Sequence, residues 1–275
     1  MRLGIFTFFN DTGIRPAELA VELETRGFAS LFTTEHMHMP VHVTTPYRMG
    51  GPIPAQYYRT VDQLVALTAA ATATTSLGIG TGITLVAQHD PILLAKQLAS
   101  LDMVSDGRLL FGAGVGWLRE EIANHGVDPR SRGRVFDEKL AAIVEIWTHD
   151  EAEYHGEYVD FDPIYSWPKP VTTPHPPIYL GGGTAAFGRI AKLGAGWLPN
   201  STGAQHLSEP LTQLRNLAAD TRVIVQHIGS IPDTTELQRY YELGIDELLV
   251  ELPTQPRDGS LRHLDAVTHQ WTQAH

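Results

Sequence analysis

The chain has 275 residues, of which 43% are hydrophobic and 19% charged, with a formal charge of -11 and no cysteine. This is a globular composition; the acidic balance and the lack of any Lys/Arg-rich run argue against a nucleic-acid partner. Disulfides, thiolate catalysis and zinc–thiolate sites are excluded.

An apolar strand pattern starts at Arg2, with no charged leader or apolar signal core before it, and no apolar run reaches the length of a membrane span. A cytoplasmic location is expected. Residues 2–9 read as the first strand and residues 16–26 as a helix, with Pro16 at its start and Gly27 after it. Residues 28–33 read as the second strand. Residues 35–58 follow as an irregular, Pro- and Gly-rich insertion. A helix over 61–72 and a third strand over 77–85 come next, then a helix over 91–103 with Asp90 as its N-cap.

Residues 108–112 form the fourth strand, and residues 134–147 a long helix whose apolar face includes Trp147. The polar segment 151–161 predicts a hairpin. The fifth strand, 178–180, ends in three glycines and opens into a helix over 184–193. Strands over 194–198, 222–228 and 245–252 alternate with helices over 207–218, 234–243 and 260–271. Eight strand–helix units without a linker match a parallel barrel, typically about 250 residues long. The expected architecture is therefore α/β: a single (β/α)8 TIM barrel over residues 1–275, with insertions after strands 2 and 4 near residues 36–60 and 117–176.

The active site of such a barrel lies at the C-terminal ends of its strands. There the sequence places Glu35 and His36 after strand two, Gly80 to Thr84 at strand three, Gly112 to Trp117 after strand four, and Gly181, Gly182 and Gly183 after strand five. Glycines at strand ends make the main chain itself a wall for a flat ligand. A glycine loop opening into a helix offers free N–H groups to a phosphate. Histidine can exchange a proton near neutrality, with Glu35 orienting it or bonding a ring; alternatively both are polar loop residues without a role. His36-Met37-His38 also allows a metal-dependent barrel hydrolase, but His227 is the sole candidate ligand among the later strand ends, so no metal is expected. Gly112 to Gly116 has the spacing GxGxG, which is not the GxGxxG of a dinucleotide turn. His42, His89, His125, His149 and His155 are expected at the solvated surface.

Three stretches, FASLFTTEH (28–36), LGIGTGITLVAQHDPILLAKQLASLDMVSDGRLLFGAGVGW (77–117) and PKPVTTPHPPIYLGGGTAAFGRIAKLGAGWLP (168–199), resemble the bacterial luciferase-like flavin and deazaflavin oxidoreductases over nearly the whole chain. The resemblance implies a barrel with a flavin or deazaflavin ring at the strand mouths. Glu35 then contacts the ring and His36 faces the substrate. A cis non-prolyl bulge maps onto Gly82-Ile83. Gly116 and Trp117 line the cofactor's side chain, and Gly181, Gly182, Gly183 and Thr184 cradle its phosphate. The TEH, GTGITLV and GAGVGW motifs look more like the branch that uses coenzyme F420 than the one that uses FMN. Arg119, Arg130, Arg132 and Arg134 are available to offset that cofactor's anionic tail. The implied function is hydride transfer between coenzyme F420 and a small-molecule substrate. An FMN-dependent monooxygenase using dioxygen, and a cofactor-binding protein without catalysis, are the alternatives. Members of such families are often homodimers.

Overall fold

The computed structural model describes residues 1–274. Twelve strands and nine α-helices follow one another among these residues. They are β1 (Arg2–Thr7), α1 (Pro16–Thr25), β2 (Ser30–Thr33), α2 (Gln63–Ala73), β3 (Gly78–Thr81), β4 (Thr84–Leu85), α3 (Pro91–Val104), β5 (Leu109–Gly114), α4 (Arg119–Asn124), α5 (Arg132–Thr148), β6 (Glu151–His155), β7 (Asp160–Tyr165), β8 (Ile178–Gly181), α6 (Phe187–Leu193), β9 (Gly196–Leu198), β10 (Asn200–Ser201), α7 (Ser208–Leu217), β11 (Ile224–His227), α8 (Thr234–Glu242), β12 (Glu247–Leu252) and α9 (Arg257–Ala274).

Parallel pairing runs in the order β10-β11-β12-β1-β2-β3-β5-β8-β9. The ring closes because β9 and β10 are two halves of one stave: Trp197 bridges to Val223, and Asn200 and Ser201 pair with Gln226 and His227. Pro199 separates the halves, having no N–H to give the ladder; its carbonyl still accepts the Gln226 N–H at 2.9 Å.

Alternation along the strands divides two cores. Ile5, Leu31 and Leu248 face outward to the helices, while Phe6, Phe32 and Leu249 fill the barrel with Tyr179, Leu198 and Ile224. The interior is thus packed, not a pore. Gly80 makes room for it: a Cβ there would sit 2.5 Å from the Phe32 ring. Helix starts follow their caps, with Asp62, Asp90 and Asp233 accepting the N–H groups of Val65, Leu93 and Glu236 at 2.8–2.9 Å.

Three expectations need correction. The third strand is split into β3 and β4 at Gly82-Ile83, whose peptide is cis; β3 pairs with β2 and with the start of β5, and β4 with the end of β5. The helix after the glycines begins with a 3-10 turn over Thr184–Ala186. Inside the second insertion, α4 forms where no helix was read, because six residues are too short for a hydrophobic period. The hairpin is present as β6 and β7, antiparallel. Among the described residues no helix is long and apolar enough to cross a membrane.

Candidate active site

A cavity of about 280 Å³ opens at the C-terminal mouth of the barrel, near the lower limit of small-molecule sites. Every barrel stave reaches it: Phe6 from β1, Glu35 and His36 beyond β2, Ile83 between β3 and β4, Gly116 and Trp117 beyond β5, Gly181 of β8, Leu198 and Asn200 of β9 and β10, Gln226 of β11, and Glu251 of β12. Tyr47, Arg48, Gln56 and Tyr57 of the first insertion roof it.

His36 is 8% exposed, and its Nδ1 lies 3.0 Å from Glu121 Oε2 on α4. The Thr60 hydroxyl donates to its carbonyl oxygen. Tyr57 and Trp117 pack on the ring at centroid distances of 4.9 and 6.2 Å, and Tyr47 contacts both of them at 5.6 and 5.7 Å. Burial, helped by the Tyr47 hydroxyl, pushes the Tyr57 phenol up and keeps it neutral. The aromatic roof thus excludes water from one edge of the histidine.

Glu35 is buried and already engaged. Its Oε2 accepts the Leu85 N–H at 2.6 Å, and Oε1 lies 3.0 Å from His89 Nε2. It ties the strand-two exit to the turn after β4. His89 is therefore not a solvated loop residue: 12% of its side chain is exposed, and it holds Glu35. His125 also departs from that expectation. It packs against His38, ring tilted and centroids 5.2 Å apart, with Nε2 buried and unpartnered, and burial first, then the His38 charge, lowers its pKa. His42, His149 and His155 are exposed.

Ile83 is seated between two glycines. Its Cδ1 would be 2.0 Å from a Cβ on Gly114, and its Cγ2 3.0 Å from one on Gly181. Gln226 donates to the Gly82 carbonyl at 3.2 Å, tying the bulge to β11. Glu251 brings a second carboxylate to the cavity. Burial raises its pKa, and the Gly229 N–H, 3.0 Å from Oε2, only partly opposes that shift.

Of the residues singled out from sequence, Glu35, His36, Gly82, Ile83, Gly116, Trp117, Gly181 and Gly182 line the one cavity. Gly183 and Thr184 lie just beyond its rim and are exposed. His227 is spent on the fold, with its ring nitrogens 2.9 Å from the Tyr240 hydroxyl and the Ser230 carbonyl. Arg130 and Arg134 are paired with Asp128 and Glu157. The strand-end rule alone reaches Gln226 and Glu251, whereas nothing in the sequence marks Glu121.

Residues 1–238 match the family model described as luciferase-like monooxygenase. The chain belongs to the luciferase-like monooxygenase family. This is a family of oxidoreductases. The uncharacterized protein Rv0953c of Mycobacterium tuberculosis is 35% identical over 276 residues, covering 96% of both chains. Among solved structures, the monooxygenase RslO1 from Streptomyces bottropensis aligns with a TM-score of 0.83 at 18% identity, covering 99% of each chain. An F420-dependent secondary alcohol dehydrogenase, determined with an F420-acetone adduct, aligns with a TM-score of 0.75 at 16% identity and 97% coverage of each. At these identities the two structures attest the fold alone.

Proposed function

We propose that this protein transfers a hydride between coenzyme F420 and a small organic substrate. The observation that carries the reading is His36: a buried histidine on the cavity wall, under an aromatic roof, held by a carboxylate on one nitrogen and unbonded to protein on the other. The residues present fit a flat ring. Main chain at Gly82, Gly116, Gly181 and Gly182 forms much of the wall, and Ile83 supplies an apolar contact between its two glycines. Beyond the rim, Gly183 has open space where a Cβ would stand, which leaves its backbone approachable by a phosphate.

Bound there, the deazaflavin supplies the hydride chemistry, and the protein supplies placement and electrostatics. Glu35 serves as a brace, since both oxygens are taken by Leu85 and His89. His36 gives a proton to the substrate's polar group or takes one from it as the hydride moves, through Nε2. Tyr57, Tyr47 and Trp117 hold the reacting atoms away from water.

A second reading, an FMN-dependent monooxygenase using dioxygen, is favoured by the luciferase-like monooxygenase family model that matches residues 1–238. Parallel titration of the protein with F420 and FMN, followed by quenching of Trp117 fluorescence, separates the two. Micromolar or tighter binding of F420 with weak FMN binding supports hydride transfer. The reverse supports the monooxygenase, and binding of neither removes both.

A further inference from the structure

Glu121 is 1% exposed and sits on the six-residue helix α4, outside every motif that marks the site in sequence. A carboxylate in such a place costs several kcal/mol of desolvation unless partners compensate it. Its Oε2 meets His36 Nδ1 at 3.0 Å, while Oε1 is buried without a partner. Among the described residues no Lys or Arg pairs with it. The fold therefore keeps a poorly compensated acid in its interior, and His36 is the group that acid contacts. Where Nδ1–H is the donor of that hydrogen bond to the carboxylate, Nε2 is left as the bare nitrogen of the ring.

We propose that Glu121 is the positioning residue for His36: it locks the neutral ring as the Nδ1–H tautomer and presents a bare Nε2 lone pair to the cavity. The assignment rests on the reading above that His36 handles the substrate proton. A donating Nδ1 makes Nε2 the acceptor, so the resting enzyme is set to take a proton from a hydroxyl. The favoured substrate class is thus an alcohol, whose O–H proton Nε2 would take; a bound deazaflavin would supply the hydride acceptor. The contact also fixes ring rotation, because Tyr57 and Trp117 pack against the ring and the carboxylate ties its edge to α4. Other titratable groups face the ring's surroundings. Arg48 and Tyr47 come from the roof, Glu251 from β12, and Glu35 with His89 from behind. Among the described residues only Glu121 bonds a ring nitrogen of His36.

The test needs neither cofactor nor substrate. Protein labelled with 15N-histidine is examined by long-range 1H–15N correlation at a pH where His36 is neutral, with the His36 signals identified by their loss in His36→Asn. The expected result is a protonated Nδ1 and an unprotonated Nε2. Glu121→Ala and the space-filling Glu121→Leu are expected to lose this pattern; the leucine variant guards against collapse of the cavity left by alanine. A protonated Nε2 in the parent protein, or an unchanged tautomer in either folded variant, overturns the proposal. Failure to bind F420 or FMN would remove the functional reading while leaving the tautomer result intact, so the two failures are distinguishable.

Discussion

Glu120 and Glu121 are neighbours on α4 whose carboxylates hold two different segments. Glu121 reaches inward to His36, and Glu120 Oε1 accepts from Thr44 N at 2.8 Å, the Thr44 hydroxyl at 2.6 Å and Thr45 N at 3.0 Å. One short helix thus holds both the roof of the cavity and its histidine. Seating of the first insertion and orientation of His36 share one support.

The roof anchor has a definite pH range. Burial alone would raise the Glu120 pKa, but hydrogen bonds from the Thr44 hydroxyl, the Thr44 N–H and Thr45 outweigh it and hold the carboxyl at about 2, below its usual 4.5. A depressed carboxylate contributes stability above its unfolded pKa and loses it as pH falls through the folded one. The anchor is expected intact from neutral pH down to about 4.5 and lost toward 2. Glu120→Ala removes it at all pH values. Hydrogen exchange at neutral pH is expected to show faster exchange at the Thr44 and Thr45 amides in the variant, with barrel-strand amides unchanged. Equal protection at Thr44 and Thr45 would show that the roof is held by other means.

Replacing His36 with Ala separates chemistry from binding. Positioned proton transfer contributes roughly 10²–10⁴ in rate, so turnover is expected to fall by about that factor on any substrate the parent enzyme reduces or oxidises. Cofactor affinity is expected to stay within a few-fold. Unchanged turnover would remove His36 from the reaction.

The barrel was readable because its signals are local: apolar strands, capped helices and glycines at strand ends each leave a mark within a few residues. The cavity wall at Glu35, His36, Ile83 and Trp117 was readable for the same reason, since all follow a strand directly. Contacts closed over distance were not. Glu35 meets His89 across 54 positions and His36 meets Glu121 across 85, and no pattern in the chain links them. Sequence alone places His89 at the surface because its partner, a buried carboxylate, is invisible until the fold brings it near. Tyr47 and Tyr57 were hidden in an insertion without hydrophobic period, although their rings complete the roof over His36.

The glycine rim offers a charge test of the phosphate assignment. Gly183 has an ordinary φ of -92°, and a Cβ there meets nothing within 4 Å. Gly183→Asp is therefore expected to leave the melting temperature nearly unchanged. An added carboxylate beside a bound phosphate repels it, so affinity for whichever of F420 or FMN binds is expected to drop at least tenfold. Riboflavin, which has no phosphate, serves as the control and is expected to bind parent and variant alike. Equal loss for riboflavin would place the effect on the ring and not on the phosphate.

Glu251 gives the last prediction, in which stability and function pull apart. Burial raises its pKa above the ordinary 4.5, so the folded state prefers the neutral carboxyl. For a raised acid, stability is fully present below the unfolded pKa and is lost as pH rises through the folded one. At neutral pH the charged side chain is then a cost to the fold. Glu251→Gln is neutral at every pH and keeps an oxygen to accept the Gly229 N–H. Thermal unfolding is expected to match the parent near pH 4 and to exceed it by a margin that opens as pH rises above 4.5 and levels off once the folded carboxyl has ionised. A parent more stable than the variant at pH 8 would mean that an unrecognised cation compensates the charge. A carboxylate that weakens the fold while lining the cavity is the pattern of a group retained for a ligand. The same variant is therefore expected to bind or turn over substrate less well despite its higher melting temperature.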